Sequence, residues 1–397
     1  MIKTVSFIAM ALLLAASGTE QARSPAVPPT YRDLYDALEA RLSEAAHLLG
    51  KPDPAFQPTF AVELTAANGN RGPALLEPQV RQGVIANLEA FKAFGATGVT
   101  VAACFPMFLK GFPRSEEYLD FYKFVVAEAH QRGYKVLFKV AEAFHDPVHG
   151  HLPVADFYKS LTPERYMRQK REMIEIALRE LKPDYLTVSN EPDTAAMNTG
   201  LDFSPAHYVE YVQAFTKGLQ RGQTKVGAGA GTWSPLEYWR RLAAETDVDY
   251  LDLHIYPINR DFLTRRPLEV AELARQHGKS LIIGEGWLYK SRDREIGPGG
   301  LSYVQLYARD VFSFWAPLDS EFIRVLGQYS RAHHVEYMSL FWVQYLFGYV
   351  EYTPELDQMT PGQLQQIGSR AAVGNILGKQ LSPSGEEYRR AISGRAG

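Results

Sequence analysis

Short apolar runs alternate along the chain with longer stretches whose apolar positions recur at helical spacing. The first stretch, Tyr31 to Leu49, puts Leu34, Leu38, Leu42, Ala45 and Leu49 on one face and is followed by Gly50; that spacing predicts a helix. Phe60-Ala-Val-Glu-Leu-Thr then reads as a strand leading into a polar turn, Asn68-Gly-Asn70-Arg71-Gly72. After it the same alternation repeats. Strands are predicted at 99–104, 134–141, 185–190, 225–230, 248–256, 280–284 and 335–342. Helices are predicted at 78–94, 115–132, 163–181, 205–220, 235–245, 267–277, 301–331 (broken near Pro317) and 361–378. The punctuation agrees: Gly133 and Gly278 close helices, and Pro192 and Pro257 close strands.

Strict alternation implies parallel strands joined by helical crossovers. Eight such units predict an α/β fold closed as a (β/α)8 TIM barrel, one domain spanning 55–397, with an extra helix in the lead-in at 23–54. An open doubly wound sheet is the rival. It lacks its usual signature here, because no Gly-x-Gly-x-x-Gly turn follows an early strand.

In such a barrel the chemistry sits at the carboxyl ends of the strands. That rule selects His145 after the third strand and Asn190-Glu191-Pro192 after the fourth. It also selects His254 and Tyr256 on the sixth, Glu285 and Trp287 on the seventh, and Trp342 on the eighth. Two carboxyl groups facing each other across a sugar suit glycoside cleavage: one protonates the leaving oxygen while the other attacks the anomeric carbon. The candidate catalytic pair is therefore Glu191 and Glu285, with Asn190, His145, His254, Tyr256, Trp287 and Trp342 as candidate substrate-binding residues. Phe105, Phe108 and Phe112 read as core or loop packing. A different chemistry is possible at His145-Asp146-x-x-His149-x-His151, which is dense in metal-ligand types. A metal-dependent barrel hydrolase and a barrel that binds glycan without cleaving it are thus the alternatives. The first of these is disfavoured because its ligands share one loop, the second because a binder needs no such glutamate pair.

These motifs, in this strand order, resemble the clan A retaining glycoside hydrolases, which include cellulases and mannanases. The resemblance implies Glu191 as acid/base, Glu285 as nucleophile and Asn190 as a contact to the sugar 2-hydroxyl, with no cofactor and no metal. One departure stands out. Many cellulase-type members carry an arginine near the nucleophile from an early strand, whereas the second strand here ends Ala-Cys104-Phe-Pro, and Arg71 is the nearest substitute in sequence.

Composition changes the picture little. A net charge of −3 argues against nucleic acid as a partner. The 22 Tyr, 21 Phe and 5 Trp suit either a large core or a sugar cleft. Cys104, the single cysteine, has no intrachain disulfide partner and lies in an apolar run. Residues 1–22 have the pattern of a secretory signal peptide: Lys3, an apolar run, then small residues. The expected protein is therefore exported, secreted or periplasmic, free of the membrane after processing, and acts on an oligo- or polysaccharide.

Overall fold

A computed structural model describes residues 26–145, 150–256, 261–296 and 300–394. The predicted leader lies outside these residues. The strands are β1 (Thr59–Glu63), β2 (Gly98–Phe105), β3 (Lys135–Glu142), β4 (Tyr185–Thr187), β5 (Lys225–Gly231), β6 (Tyr250–Ile255), β7 (Ser280–Gly286) and β8 (Tyr337–Leu340). All neighbours pair in parallel and β1 pairs with β8, so the sheet is a closed barrel. The predicted (β/α)8 TIM barrel is what the chain forms.

The helices follow the pattern with additions. In order they are α1 (Pro29–Leu48), α2 (Pro78–Phe94), α3 (Ser115–Gln131), α4 (Ala155–Lys159), α5 (Pro163–Leu181), α6 (Pro192–Thr199) and α7 (Pro205–Thr216). Then come α8 (Leu236–Glu245), α9 (Arg266–Gln276), α10 (Tyr303–Arg309), α11 (Ala316–Ala332), α12 (Pro361–Gly378) and α13 (Pro383–Ile392). The predicted helix 301–331 is two helices, and Pro317 sits in the first turn of the second, where a missing N–H costs nothing. The lead-in helix α1 packs chiefly along α11: Gln328 Nε2 donates to the carbonyls of Ala46 and Gly50, both at 2.7 Å. The unpredicted α13 reaches the barrel instead, through Tyr388 OH on the carbonyl of Ala61 at 2.7 Å.

Inward positions recur with period two, as strands require. One layer holds Ala61, Leu137, Tyr250, Ile282 and Tyr337, all buried, with Tyr185 against them. The next layer toward the carboxyl end is polar: Glu63, Thr100, Lys139, Thr187, Asp252 and Ser339 are all buried. Space for this layer comes from β5. A Cβ on Gly227 would meet the Tyr250 ring at 2.1 Å, and one on Gly229 would meet the Asp252 carbonyl oxygen at 1.7 Å. Gly227 thus leaves clearance for the Tyr250 ring, and Gly229 for the backbone of Asp252.

The approach at Gly229 is to backbone, which cannot rotate away. Gly229→Ala is expected to destabilise the protein by about 3 kcal/mol, the upper end of the overpacking range. Urea unfolding of both proteins measures it; an unchanged midpoint would contradict this packing.

Candidate active site

Glu191 reaches the barrel mouth through a short strand. Regular pairing of β4 stops at Thr187, earlier than the predicted Asn190, yet Val188 N still bonds Gly227 O and Gly229 N bonds Ser189 O, both at 2.9 Å. Pro192 then starts α6, with Glu191 at its N-cap in an extended conformation. The carboxylate is held on both oxygens: Thr194 Oγ1 donates to Oε2 at 2.7 Å, and His254 Nδ1 lies 2.8 Å from Oε1. Asn190 beside it is buried, and its side-chain amide bonds none of the described residues.

Glu285 owes its position to a β-bulge. Ile282 faces the barrel interior and Ile283 the helices, so plain alternation would turn Glu285 outward with Ile283. The register against β6 slips instead: Leu253 pairs Ile283, but His254 pairs Glu285. The pairing with β8 is irregular over the same residues. Gly284 N donates to Asp252 Oδ1 at 2.8 Å, which fixes the bulge, and a Cβ at Gly284 would strike that carboxylate at 2.2 Å. The extra residue aims Glu285 at the same side as His254.

One oxygen of Glu191, one oxygen of Glu285 and a ring nitrogen of His254 all lie within 4.8 Å of one another. Glu285 Oε2 accepts from Tyr256 OH, and Oε1 accepts from Lys139 Nζ. Lys139 in turn lies 3.0 Å from Glu63 Oε2. Lys139 and Glu63 are 1% and 0% exposed, as enclosed as Asp252 and His254 beside them. Sequence reasoning passed over Lys139 and Glu63. The signal was there, since a lysine and a glutamate in otherwise apolar strands are almost never fully buried unless paired.

Burial and charge pull against each other throughout this cluster. Burial raises the Glu285 carboxyl, but Lys139 and His254 outweigh it and hold it below its ordinary value. Burial lowers the Lys139 ammonium, but Glu285 and Glu63 more than offset that and raise it. For Glu63 burial wins: its carboxyl is pushed up to about 7 against the pull of Lys139. His254 is fully buried, which favours the neutral ring, yet Glu285, Asp252 and Glu191 together raise it to about 10. Burial and Glu285 push the Tyr256 phenol well up, so it stays a donor.

Other expected members fare differently. Trp342 is partly exposed, with its ring 4.8 Å from both Phe341 and Tyr307, and it stands on the rim. Trp287 does not. It is fully buried, stacked on Tyr345 at 5.7 Å with the Lys290 ammonium 4.9 Å from its ring, so it packs behind the mouth and offers no face to a ligand. Regular β7 ends at Gly286, yet Trp287 N still bonds Ile255 O at 3.0 Å and Tyr289 N bonds Tyr256 O at 3.3 Å. Trp233 takes a rim place: it is partly exposed, 6.2 Å from Tyr256, with Nε1 donating to Asp193 at 2.8 Å. His145 has an exposed side chain, and its backbone N–H meets Asn198 Oδ1 at 3.4 Å. Arg71 donates to the carbonyl of Ala66 at 2.7 Å and makes no ion pair with Glu285. Phe105, Phe108 and Phe112 are core, as expected.

For the metal alternative, Asp146 and His149 lie outside the described residues, and His151 is exposed. Glu191, His254 and Glu285 are near enough to share an ion. A cation of the protein's own is already there, because Lys139 occupies one oxygen of Glu285. A dication would be added beside that ammonium.

No family model matches the chain, and no curated protein matches it in sequence. Solved structures do match. The exo-β-1,4-mannosidase Op5Man5 from Opitutaceae bacterium strain TAV5 superposes with a TM-score of 0.56 at 14% identity, over 85% of this chain and 59% of that one. A variant of GH5_18 from Bifidobacterium longum subsp. longum ATCC 55813, in complex with Manβ1-4GlcNAc, gives 0.53 at 12% identity, over 85% and 78%. GH5_18 from Bifidobacterium longum subsp. infantis gives 0.53 at 12% identity, over 85% and 79%. The chain shares their fold. It spans about three-fifths of the mannosidase's length.

His254 supplies a pH test of this geometry. Its folded value of about 10 exceeds the ordinary 6.5, so its charge pairing stabilises the fold fully below pH 6.5 and is lost as pH rises toward 10. Unfolding free energies at pH 6 and pH 10 should show a decline in the native protein. The decline should be shallower in His254→Gln, and equal slopes would count against a charged His254.

Proposed function

We propose that this protein is a secreted glycoside hydrolase that cleaves a β-linked glycan with net retention. The supporting observation is the pair itself: Glu191 and Glu285 present oxygens within 4.8 Å of each other from the fourth and seventh strands. Retaining enzymes place their carboxyl groups about 5–5.5 Å apart, whereas inverting ones leave about 6.5–9.5 Å for a water. The environments also differ as two roles demand. Lys139 and Tyr256 both donate to Glu285, which favours an ionised nucleophile. Glu191 has Thr194 on one oxygen and shares His254 with Glu285 on the other, and at 18% exposed it is open to a leaving group and to water.

In this reading Glu285 attacks the anomeric carbon while Glu191 gives its proton to the departing glycosidic oxygen. Glu191, now a base, takes a proton from water, and that water's oxygen displaces Glu285 from the same carbon. Asn190 is free to bond the sugar 2-hydroxyl. His254 bridges the two carboxylates, at 2.8 Å from Glu191 and 3.7 Å from Glu285, and holds them in register through both steps. Trp342 and Trp233 offer ring faces for sugars at the rim. Neither step calls for a cofactor. The leader pattern at 1–22 supports export, which N-terminal sequencing of the mature protein tests.

The direct test is hydrolysis of a panel of β-glycans with sizing of products and NMR of the anomer first released. The names of the neighbouring structures put β-mannosides first on that panel. Glu285→Gln is expected to abolish turnover in a folded protein. Glu191→Ala should lower the rate by about 10²–10⁴-fold on substrates that need an acid, with partial rescue by azide. Activity should survive a chelator. Inversion at the anomeric carbon, or near-normal turnover by Glu285→Gln, would refute the assignment.

A further inference from the structure

The barrel lacks the early-strand arginine expected beside its nucleophile, yet Glu285 is not without a cation. Lys139, from the middle of β3, donates to Glu285 Oε1 from inside the barrel. Its other side faces Glu63 of β1, 3.0 Å away. Asn68 Nδ2 approaches Glu63 Oε1 at 3.5 Å. Two buried charges of opposite sign below the mouth are costly. Desolvation costs several kcal/mol for each ion, and apolar residues of similar volume usually serve stability as well or better. The pair therefore needs a reason beyond folding, and the third member of the chain, Glu285, supplies one.

We propose that Lys139 is the positioning residue for Glu285, taking the place of the missing arginine, and that the Glu63 carboxyl is the second acceptor that keeps the ammonium seated. This deepens the glycosidase reading and rests on it for its kinetic consequence. The geometry explains the division of labour. Lysine is a compact point charge that cannot bind two carboxylates through a planar fork, so it needs a second acceptor to fix its direction. Glu63 lies on the adjoining side of the same polar layer and provides it. Other groups also face Glu285: Tyr256, with its hydroxyl on Oε2, His254 at 3.7 Å, Asp252 behind His254 at 3.8 Å, and Glu191 across the mouth. Of these, only Lys139 and His254 bring positive charge, and His254 is shared with Glu191 and Asp252. Lys139 is accordingly the main acidifying neighbour of Glu285.

An opposite charge at this range lowers a carboxyl pKa by about 1–3 units. The acid limb of kcat/KM reports the ionisation of the free enzyme's nucleophile. Lys139→Met should therefore move that limb up by about 1–3 pH units, while Lys139→Arg should leave it near its original place. The double variant Glu63→Gln/Lys139→Met removes both buried charges together and guards against a fold lost to an orphaned Glu63. It should show the same upward shift. In parallel, the Glu285 carboxyl carbon is titrated by 13C NMR, assigned through its loss in Glu285→Gln. That titration reads the charge coupling whether or not the chain cleaves a glycoside, so the two readings fail separately. A shifted titration with no hydrolysis by the native protein would sink the glycosidase reading and keep Lys139 as the partner of Glu285. Folded Lys139→Met or double variants with an unmoved limb and an unmoved titration would overturn the role given to Lys139.

Discussion

The ammonium of Lys139 lies inside the barrel between two carboxylates, and desolvation makes that placement decisive for everything above it. In water such contacts would be worth about 1 kcal/mol each. Enclosed, they fix which groups carry charge. Glu285 is held ionised and Glu63 is left to titrate near neutrality, and Glu285 in turn, with Asp252 and Glu191, draws His254 into its cationic form. The polar layer of the barrel is thus one electrostatic unit with inputs from β1, β3, β6 and β7. No single member has a fixed state apart from the others.

Two backbone devices make that unit possible. The glycines of β5 clear room for Tyr250 and Asp252, and Asp252 then receives Thr187 Oγ1 at 2.7 Å and the Gly284 amide at 2.8 Å. The amide contact pins the bulge in β7. The bulge turns Glu285 toward His254 and away from the helices. A chain of steric and hydrogen-bond steps therefore runs from small residues on one strand to the aim of a carboxylate two strands on. Glycine at 229 and 284 is required by close approach of neighbours rather than by torsion angle.

Much of the architecture was legible in the sequence because a parallel barrel repeats one unit. Each strand is an apolar run, each helix a face of period 3.6, and glycine or proline marks the joints. The carboxyl-end rule then put Asn190, Glu191, His254, Tyr256, Glu285 and Trp342 at one mouth. Trp287 shows the limit of that rule. It lies just past the last regular pair of β7, its N–H still on Ile255 O, and its indole is buried against Tyr345, a contact that strand position alone does not reveal. The split of 301–331 into two helices and the docking of α13 under β1 were hidden for a related reason, since each depends on a distant contact.

Period and punctuation in the sequence determined the number of strands, their order and the two glutamates at strand ends, because these follow from local chain geometry. Tertiary structure decided which way Glu285 points, since a register slip between β6 and β7 depends on Asp252 capturing the Gly284 amide. It also decided that the cation beside Glu285 is Lys139 rather than Arg71. A lysine in a strand carries no local mark of its partner. Only closing the barrel, with β1 beside β8 and β3 across from β7, brings that charge between Glu63 and Glu285 and shuts water out.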